Sequence, residues 1–118
     1  MCDGMTLAYL GDSVMELYVR EKLVQSGITR AGELNSRAHE IVRATSQARA
    51  FHKIEGMLTD DEMDFFRRGR NSGHLSAPRS ATISEYRTAT GFEAVLGYLH
   101  LTGNRERICE LLYAAYEL

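Results

Sequence analysis

The apolar residues of this chain follow a helical period. They recur every three or four positions rather than every second position, which is the spacing of an amphipathic helix. A single proline, Pro78, occurs in the 118 residues. The pattern predicts an all-α fold, and the length suits one domain with one hydrophobic core over residues 1–118.

Six helices are predicted, separated by glycines, polar residues and candidate caps. Thr6 is the expected N-cap of the first helix, and Ser46 and Ser84 are the expected caps of the third and fifth. Thr59 and Glu62 have the spacing of a capping box at the start of the fourth. The predicted spans are about 6–26, 31–44, 47–56, 60–70, 84–101 and 105–118.

Residues 71–81 form the longest polar and small-residue segment, Asn-Ser-Gly-His-Leu-Ser-Ala-Pro-Arg-Ser-Ala. Loops of this length within a compact domain are usually functional or mobile. The segment is therefore a candidate for ligand contact.

Two acidic residues lie within otherwise apolar helical segments. Asp12 lies in Leu-Ala-Tyr-Leu-Gly-Asp-Ser-Val, residues 7–14, and Glu93 lies in Thr-Gly-Phe-Glu-Ala-Val-Leu-Gly, residues 90–97. Because an unpaired buried carboxylate is costly, a cation, an arginine or strong donors are expected beside each one. Mg²⁺ accepts carboxylate oxygens and keeps several waters, so the pair indicates a metal site. The alternative is that both acids mark polar strips of amphipathic helices, and their separation in sequence leaves open whether they meet.

The helical neighbours of the two acids suit a hydrated ion. Glu16 follows Asp12 by one turn and is a candidate accessory acid. Thr90 and Gly97 flank Glu93, which places a hydroxyl and an open space beside its carboxylate. The sequence shows no arrangement of Ser, Cys or His that indicates covalent catalysis.

The charge of the chain is unevenly distributed. The formal net charge is -2, yet residues 65–84 contain no Asp or Glu. The basic side chains of this stretch are candidates for phosphate contacts. The alternative is a solvated surface in which arginines complement the dipole at the end of the fourth helix. The candidates are Arg67, Arg68, Arg70, His74 and Arg79.

The two cysteines, Cys2 and Cys109, match neither a metal spacing nor a disulfide framework. The sequence shows no run of about 18 apolar residues and no secretory signal pattern. We therefore expect a cytoplasmic protein in a reducing compartment, without a membrane span.

Several separated motifs resemble the catalytic domain of the ribonuclease III superfamily. Residues 7–16 resemble its signature motif, and residues 92–99 resemble its second acidic helix. The turn at residues 68–71 and the segment 86–93 are similar to Mini-III, the small bacterial branch that has no double-stranded RNA-binding domain. The order and separation of the motifs also match, and the resemblance spans nearly the whole chain.

The resemblance implies a dimeric helical bundle like the ribonuclease III catalytic domain. It also implies a Mg²⁺-dependent endoribonuclease, with Mn²⁺ as a possible substitute, which cleaves double-stranded RNA to leave 5′-phosphate and 3′-hydroxyl ends. Asp12 and Glu93 match the metal-binding Asp and Glu of the family. Two further family acids are replaced here by Ala8 and Thr90, which leaves Asp12 and Glu93 as direct ligands and gives no support to a two-metal site. Thr90 is then a candidate for orienting a bound water.

The same resemblance implies roles outside the metal site. Tyr9 occupies the motif position whose aromatic ring packs into the partner subunit, and the expected substrate is the precursor of large-subunit ribosomal RNA. A non-catalytic RNA-binding relative and a helical protein-interaction module are the competing interpretations. The residues expected to contact RNA are Arg67, Arg68, Arg70, Asn71, His74 and Arg79.

Overall fold

A computed structural model describes residues 3–72 and 81–118, which contain six α-helices, one short 3-10 helix and no strand. The all-α prediction is confirmed. Within these ranges, no helix combines the length and apolar character needed to cross a bilayer. The helices are α1 (Gly4–Gln25), α2 (Ala31–Val42), α3 (Ala44–Ile54), α4 (Asp60–Arg70), α5 (Ile83–Leu101) and α6 (Arg105–Tyr116).

The helix starts confirm one predicted cap and correct the other three, at α5, α1 and α3. The capping box of Thr59 and Glu62 opens α4 as expected. The N-cap of α5 is Thr82 rather than Ser84, because the Thr82 hydroxyl accepts the backbone N–H of Glu85 at 3.0 Å. Helix α1 is capped by the Asp3 carboxylate, not by the predicted Thr6. At α1 and α5 the cap precedes the predicted residue.

The junction between α2 and α3 is tighter than predicted. Helix α3 begins at Ala44 and has no side-chain cap, because Arg43 alone, in an extended conformation, separates it from α2. The predicted cap, Ser46, lies inside α3, and its hydroxyl instead donates to the Glu40 carbonyl at 2.6 Å. Ser46 thus satisfies a carbonyl near the end of α2.

Helix α5 is the central element and packs against α1, α3, α4 and α6. Phe92 of α5, Phe51 of α3 and Phe66 of α4 form the aromatic part of the core. The rings of Phe51 and Phe66 stack with centroids 4.2 Å apart, and the Phe92 ring lies 5.6 Å from that of Phe51. This packing fixes α5, which carries Glu93, relative to its neighbours.

Helices α1 and α5 cross antiparallel at two glycines. A Cβ atom on Gly11 would lie 1.7 Å from the Glu93 carbonyl oxygen, and one on Gly97 would lie 2.1 Å from the Leu7 carbonyl oxygen. Only glycine allows the two backbones to approach this closely. The crossing therefore places Asp12, the residue after Gly11, next to Glu93.

Candidate active site

The crossing of α1 and α5 brings the carboxyl groups of Asp12 and Glu93 within hydrogen-bonding distance. Asp12 is exposed and Glu93 is partly buried, so only one of the two carboxylates is withdrawn from solvent. Burial, followed by the hydrogen bond and the charge of Asp12, raises the pKa of Glu93 to about 8. In the part of the chain that the structure describes, neither carboxylate forms an ion pair with Lys or Arg. An acid pair without a compensating cation is a feature of functional sites.

Gln47 of α3 also contacts this pair. Its side-chain nitrogen donates to Glu93 Oε2 at 3.3 Å and to the Val42 carbonyl at 2.6 Å, and the residue is only 3% exposed. Gln47 is not among the site residues predicted from the sequence. Its signal was nonetheless present, because Gln47 shares the apolar face of α3 with Phe51 and Ile54.

Three buried polar atoms have no hydrogen-bond partner among the described residues, and two of them belong to side chains that interact with Glu93, Gln47 and Tyr116. The three atoms are Thr45 Oγ1, Gln47 Oε1 and Tyr116 Oη. Burial first, and then the charge of Glu93, raises the pKa of the Tyr116 phenol, so this hydroxyl lies near Glu93. Buried polar atoms in this number indicate a position for ordered water or for a ligand.

The two accessory residues predicted from sequence occupy different positions. Glu16 lies close enough for its charge to contribute to the raised pKa of Glu93, and it also accepts a hydrogen bond from Arg20 Nε at 3.1 Å. Thr90 is buried, and its hydroxyl donates to the Tyr86 carbonyl at 2.9 Å. Because its single proton is used within α5, Thr90 has only lone pairs left to offer a water.

The basic end of α4 packs against α5. A Cβ atom on Gly69 would lie 2.6 Å from Ala94 Cβ and 2.9 Å from Gly91 Cα, so the last turn of α4 packs on α5 at residues that flank Glu93. Arg67, Arg68 and Arg70 all belong to this turn, as the sequence predicted. The structure therefore places the backbone of this arginine-bearing turn against the helix that carries Glu93.

The three arginines and Asn71 are exposed but differ in their contacts. Arg68 pairs with Asp64 at 3.0 Å and lies over the Phe65 ring. Arg70 donates to the Asn71 side chain at 3.3 Å, whereas Arg67 has no ion pair within residues 3–72 and 81–118. The other two predicted RNA contacts, His74 and Arg79, lie outside the described residues.

Tyr9 is the most exposed large hydrophobic residue in the described ranges, at 83%. It lies on α1 one turn before Asp12. An apolar groove between α1 and α6 begins at the next residue, Leu10, and includes the exposed Leu17. Tyr9 and Leu17 thus leave apolar side chains of α1 exposed to solvent.

Comparison with known families settles the relationship. The family described as Ribonuclease III domain matches residues 5–104. The chain belongs to the ribonuclease III family. This ribonuclease III domain is 48% identical to the Mini-ribonuclease 3 of Symbiobacterium thermophilum over 94% of this chain and 85% of that relative. It is 40% identical to the Mini-ribonuclease 3 of Streptococcus pneumoniae over 95% and 89% of the two chains.

The fold of this ribonuclease III domain also matches a solved structure. A crystal structure of a protein from Fusobacterium nucleatum superposes with a TM-score of 0.84 and 33% sequence identity, covering 93% of this chain and 88% of the other. The bundle architecture inferred from the sequence is thereby confirmed. Family membership supports an endoribonuclease activity.

Proposed function

We propose that this protein is a divalent-cation-dependent endoribonuclease that hydrolyses double-stranded RNA, leaving 5′-phosphate and 3′-hydroxyl ends. The observation that carries the proposal is the pair of carboxyl groups of Asp12 and Glu93 at the crossing of α1 and α5, with no cationic side chain to compensate them among the described residues. The relatives named Mini-ribonuclease 3 support RNA as the substrate.

The donor set fits Mg²⁺, with Mn²⁺ as an alternative. Two adjacent carboxylates repel each other when both are ionised, and a divalent cation would relieve that repulsion. The described ranges contain no group of three or more His, Cys, Asp and Glu side chains that could hold a metal. Mg²⁺ keeps several waters, so Asp12 and Glu93 suffice as protein ligands. When bound, the cation would polarise the scissile phosphate and lower the pKa of an attacking water.

The protein's own contribution is to hold these groups in place. The glycine crossing fixes the backbone of Glu93 against α1, and the exposed Asp12 carboxylate faces the solvent from which RNA approaches. Glu16 adds negative charge that favours cation binding. Thr90 can accept a hydrogen bond from a water, since its lone pairs are free of the Tyr86 contact.

The basic end of α4 is the proposed surface for RNA phosphates. This turn packs on α5, the helix that carries Glu93, and its arginines are exposed to solvent. Phosphate contacts carry no base sequence, so the shape of the A-form duplex would select the substrate. The proposed contacts are Arg67, Arg68, Arg70 and Asn71, together with His74 and Arg79, which remain sequence-based predictions.

We also propose that the protein acts as a homodimer with Tyr9 in the interface. A two-fold pair presents two equivalent sites to the two antiparallel strands of a duplex. The exposed Tyr9 ring and the adjacent apolar groove supply the surface that such an interface would cover. Sedimentation of wild type and Tyr9→Ala at micromolar concentration tests this: we expect a dimer that the substitution weakens. A monomeric wild type that cuts both strands would contradict it.

The proposed cellular substrate is the precursor of large-subunit ribosomal RNA. This assignment rests on the resemblance to Mini-III. Processing of purified precursor, with the cut sites mapped by primer extension, tests it separately from the general activity on duplexes.

Digestion of an end-labelled RNA duplex with Mg²⁺, with Mn²⁺ and with a chelator tests the proposed activity. We expect cleavage only with a divalent cation. Asp12→Asn should abolish cleavage and leave binding to the duplex intact, because it removes a charged ligand and preserves shape. The matched control is Asp61→Asn, an exposed acid in the first turn of α4.

The result also separates the competing interpretations. A non-catalytic RNA-binding relative would bind the duplex without cutting it, and a protein-interaction module would show no salt-dependent RNA binding. Cleavage that persists in chelator, or an Asp12→Asn variant with more than about a tenth of wild-type turnover, would contradict the proposal.

A further inference from the structure

Gln47 joins Glu93 to the junction between α2 and α3. Its amide nitrogen donates one hydrogen bond to Glu93 Oε2 and one to the Val42 carbonyl. The Val42 oxygen can only accept, so the nitrogen of the amide, and not its oxygen, must face it. The orientation of the carboxamide is therefore determined by its partners.

We propose that Gln47 is a positioning residue for the cation site: it holds the Glu93 carboxylate in the orientation that binds a divalent cation. The inference rests on the proposed function. The terminal torsion of a glutamate is broad, so an untethered carboxylate samples many orientations. A donor fixed from outside α5 restricts this freedom, as partners of metal ligands commonly do.

A purely structural role would need only the contact to Val42. That contact satisfies a carbonyl at the C-terminal end of α2, which has no partner within the helix. Two features are left unexplained by it: the second hydrogen bond, to Glu93, and the buried Oε1 atom, which has no partner among the described residues. Because Oε1 and Nε2 share one carbon, the group that holds Glu93 also carries a buried acceptor without a donor, and an ordered water would satisfy it.

Gln47→Met tests the proposal, because Met retains the length of the side chain and removes both hydrogen bonds. The matched control is Ser46→Ala, which removes the hydrogen bond to the Glu40 carbonyl at the same junction, where no described contact links Ser46 to Glu93. Mn²⁺ affinity is measured by electron paramagnetic resonance without RNA. Thermal unfolding is recorded for both variants.

We expect Gln47→Met to weaken Mn²⁺ binding about ten- to a hundredfold, as loss of a group that orients a metal ligand does. Ser46→Ala should lower thermal stability and leave Mn²⁺ affinity within about twofold of wild type. Unchanged Mn²⁺ affinity in Gln47→Met, or an equal loss in Ser46→Ala, would overturn the proposal.

A measurement on wild-type protein decides the matter even if Gln47→Met fails to fold. The chain contains two glutamines, so the side-chain amide signals of Gln47 and Gln25 can be assigned and followed by NMR during a Mg²⁺ titration. We expect the Gln47 signals to shift together with the backbone signals of Asp12 and Glu93, and those of the exposed Gln25 to stay unchanged. A shift of Asp12 and Glu93 with Gln47 unmoved would overturn this inference alone, whereas no shift at Asp12 and Glu93 would overturn the proposed function as well.

Discussion

Glu62 and Glu93 are two glutamates that the fold withdraws from solvent in opposite ways. Glu62, which is 3% exposed, accepts hydrogen bonds from Arg107 Nε and Nη2, both at 2.9 Å, and from the backbone of Thr59. Burial raises the pKa of Glu62, but the hydrogen bonds from Arg107 and Thr59 outweigh it and leave the pKa below its ordinary value. This carboxylate is fully compensated within the protein.

Glu93 receives one neutral donor, Gln47, and faces a second carboxyl group, Asp12. Its pKa is raised where that of Glu62 is lowered. Burial alone therefore does not identify an acid as functional. When the protein supplies no cation to balance the charge of a buried acid, a bound ligand can supply it.

The largest expected effect comes from replacing Glu93 and Glu62 by glutamine, each in a variant of its own. Glu93→Gln should reduce cleavage of a duplex at least about a hundredfold, because it removes a charged ligand without changing shape. Glu62→Gln should leave cleavage near wild type at a temperature where the variant is folded. It should instead lower the free energy of unfolding by about 2 kcal/mol, since Arg107 loses its buried ionic partner.

Single-turnover cleavage rates and urea unfolding of both variants supply the measurements. The comparison would fail if Glu62→Gln lost cleavage as strongly as Glu93→Gln while remaining folded. Glu106→Gln, at an exposed position in the first turn of α6, is the matched control and should change neither quantity.

The second-largest expected effect comes from changing the crossing of α1 and α5, which brings Asp12 next to Glu93. Gly11→Ala would place a methyl group 1.7 Å from the Glu93 carbonyl oxygen, so α1 and α5 must separate. We expect a loss of about 3 kcal/mol or more in unfolding free energy, together with loss of cleavage. Gly32→Ala in α2, where a Cβ atom meets nothing within 4 Å, should instead stabilise the protein by about 0.5 kcal/mol. A Gly11→Ala protein with wild-type stability would contradict the geometry of the crossing.

Most of the fold could be predicted from the sequence because helices leave local signals. The spacing of apolar residues predicted six helices, and the box of Thr59 and Glu62 marked a true helix start. The misplaced cap of α5 had a readable signal as well. Thr82 has Glu85 three residues later, as a capping box requires, whereas Ser84 is followed at that distance by Arg87.

The site was only partly predictable, because its contacts join residues that are distant in the chain. Asp12 and Glu93 could be selected as acids on apolar helices, yet their meeting depends on the close packing of Gly11 against α5. Gln47 approaches Glu93 across 46 residues and Arg107 approaches Glu62 across 45, so neither pairing has a local pattern. In a sequence, such a distant contact is indicated by a polar residue on an apolar helical face, as at Gln47.

The dependence of stability on pH sharpens the contrast between the two glutamates. In cation-free protein Glu93 keeps its proton up to about pH 8, whereas in the unfolded chain it releases the proton near its ordinary pKa of 4.5. The resulting stability is present at low pH and is lost as pH rises from about 4.5 to about 8. Glu62 has the opposite sign: its lowered pKa gives stability that is present at neutral pH and is lost as pH falls below 4.5.

Urea unfolding in chelator at about pH 5, 7 and 9 measures these slopes. Glu93→Gln should remove most of the fall in stability between the lowest and the highest of these values. Glu62→Gln should leave that fall in place and, in a further measurement at about pH 3, flatten the loss of stability on acidification. A wild-type protein with the same unfolding free energy at about pH 5, 7 and 9 would contradict the raised pKa of Glu93.

The smallest expected effect concerns two tyrosines, one whose hydroxyl has a hydrogen-bond partner and one whose buried hydroxyl has none among the described residues. The Tyr116 hydroxyl lies near Glu93 and has no partner among the described residues, whereas the Tyr18 hydroxyl donates to the Leu118 carbonyl at 2.7 Å. Tyr116→Phe should leave stability unchanged or raise it by up to about 1 kcal/mol, because it removes a buried group that gains nothing from the protein. Tyr18→Phe should cost about 1 kcal/mol, since it leaves a carbonyl without its donor. Urea unfolding of the two variants at neutral pH measures the difference. If Tyr116→Phe costs as much as Tyr18→Phe, the Tyr116 hydroxyl has a hydrogen-bond partner in solution, which contradicts the unpaired state described for it.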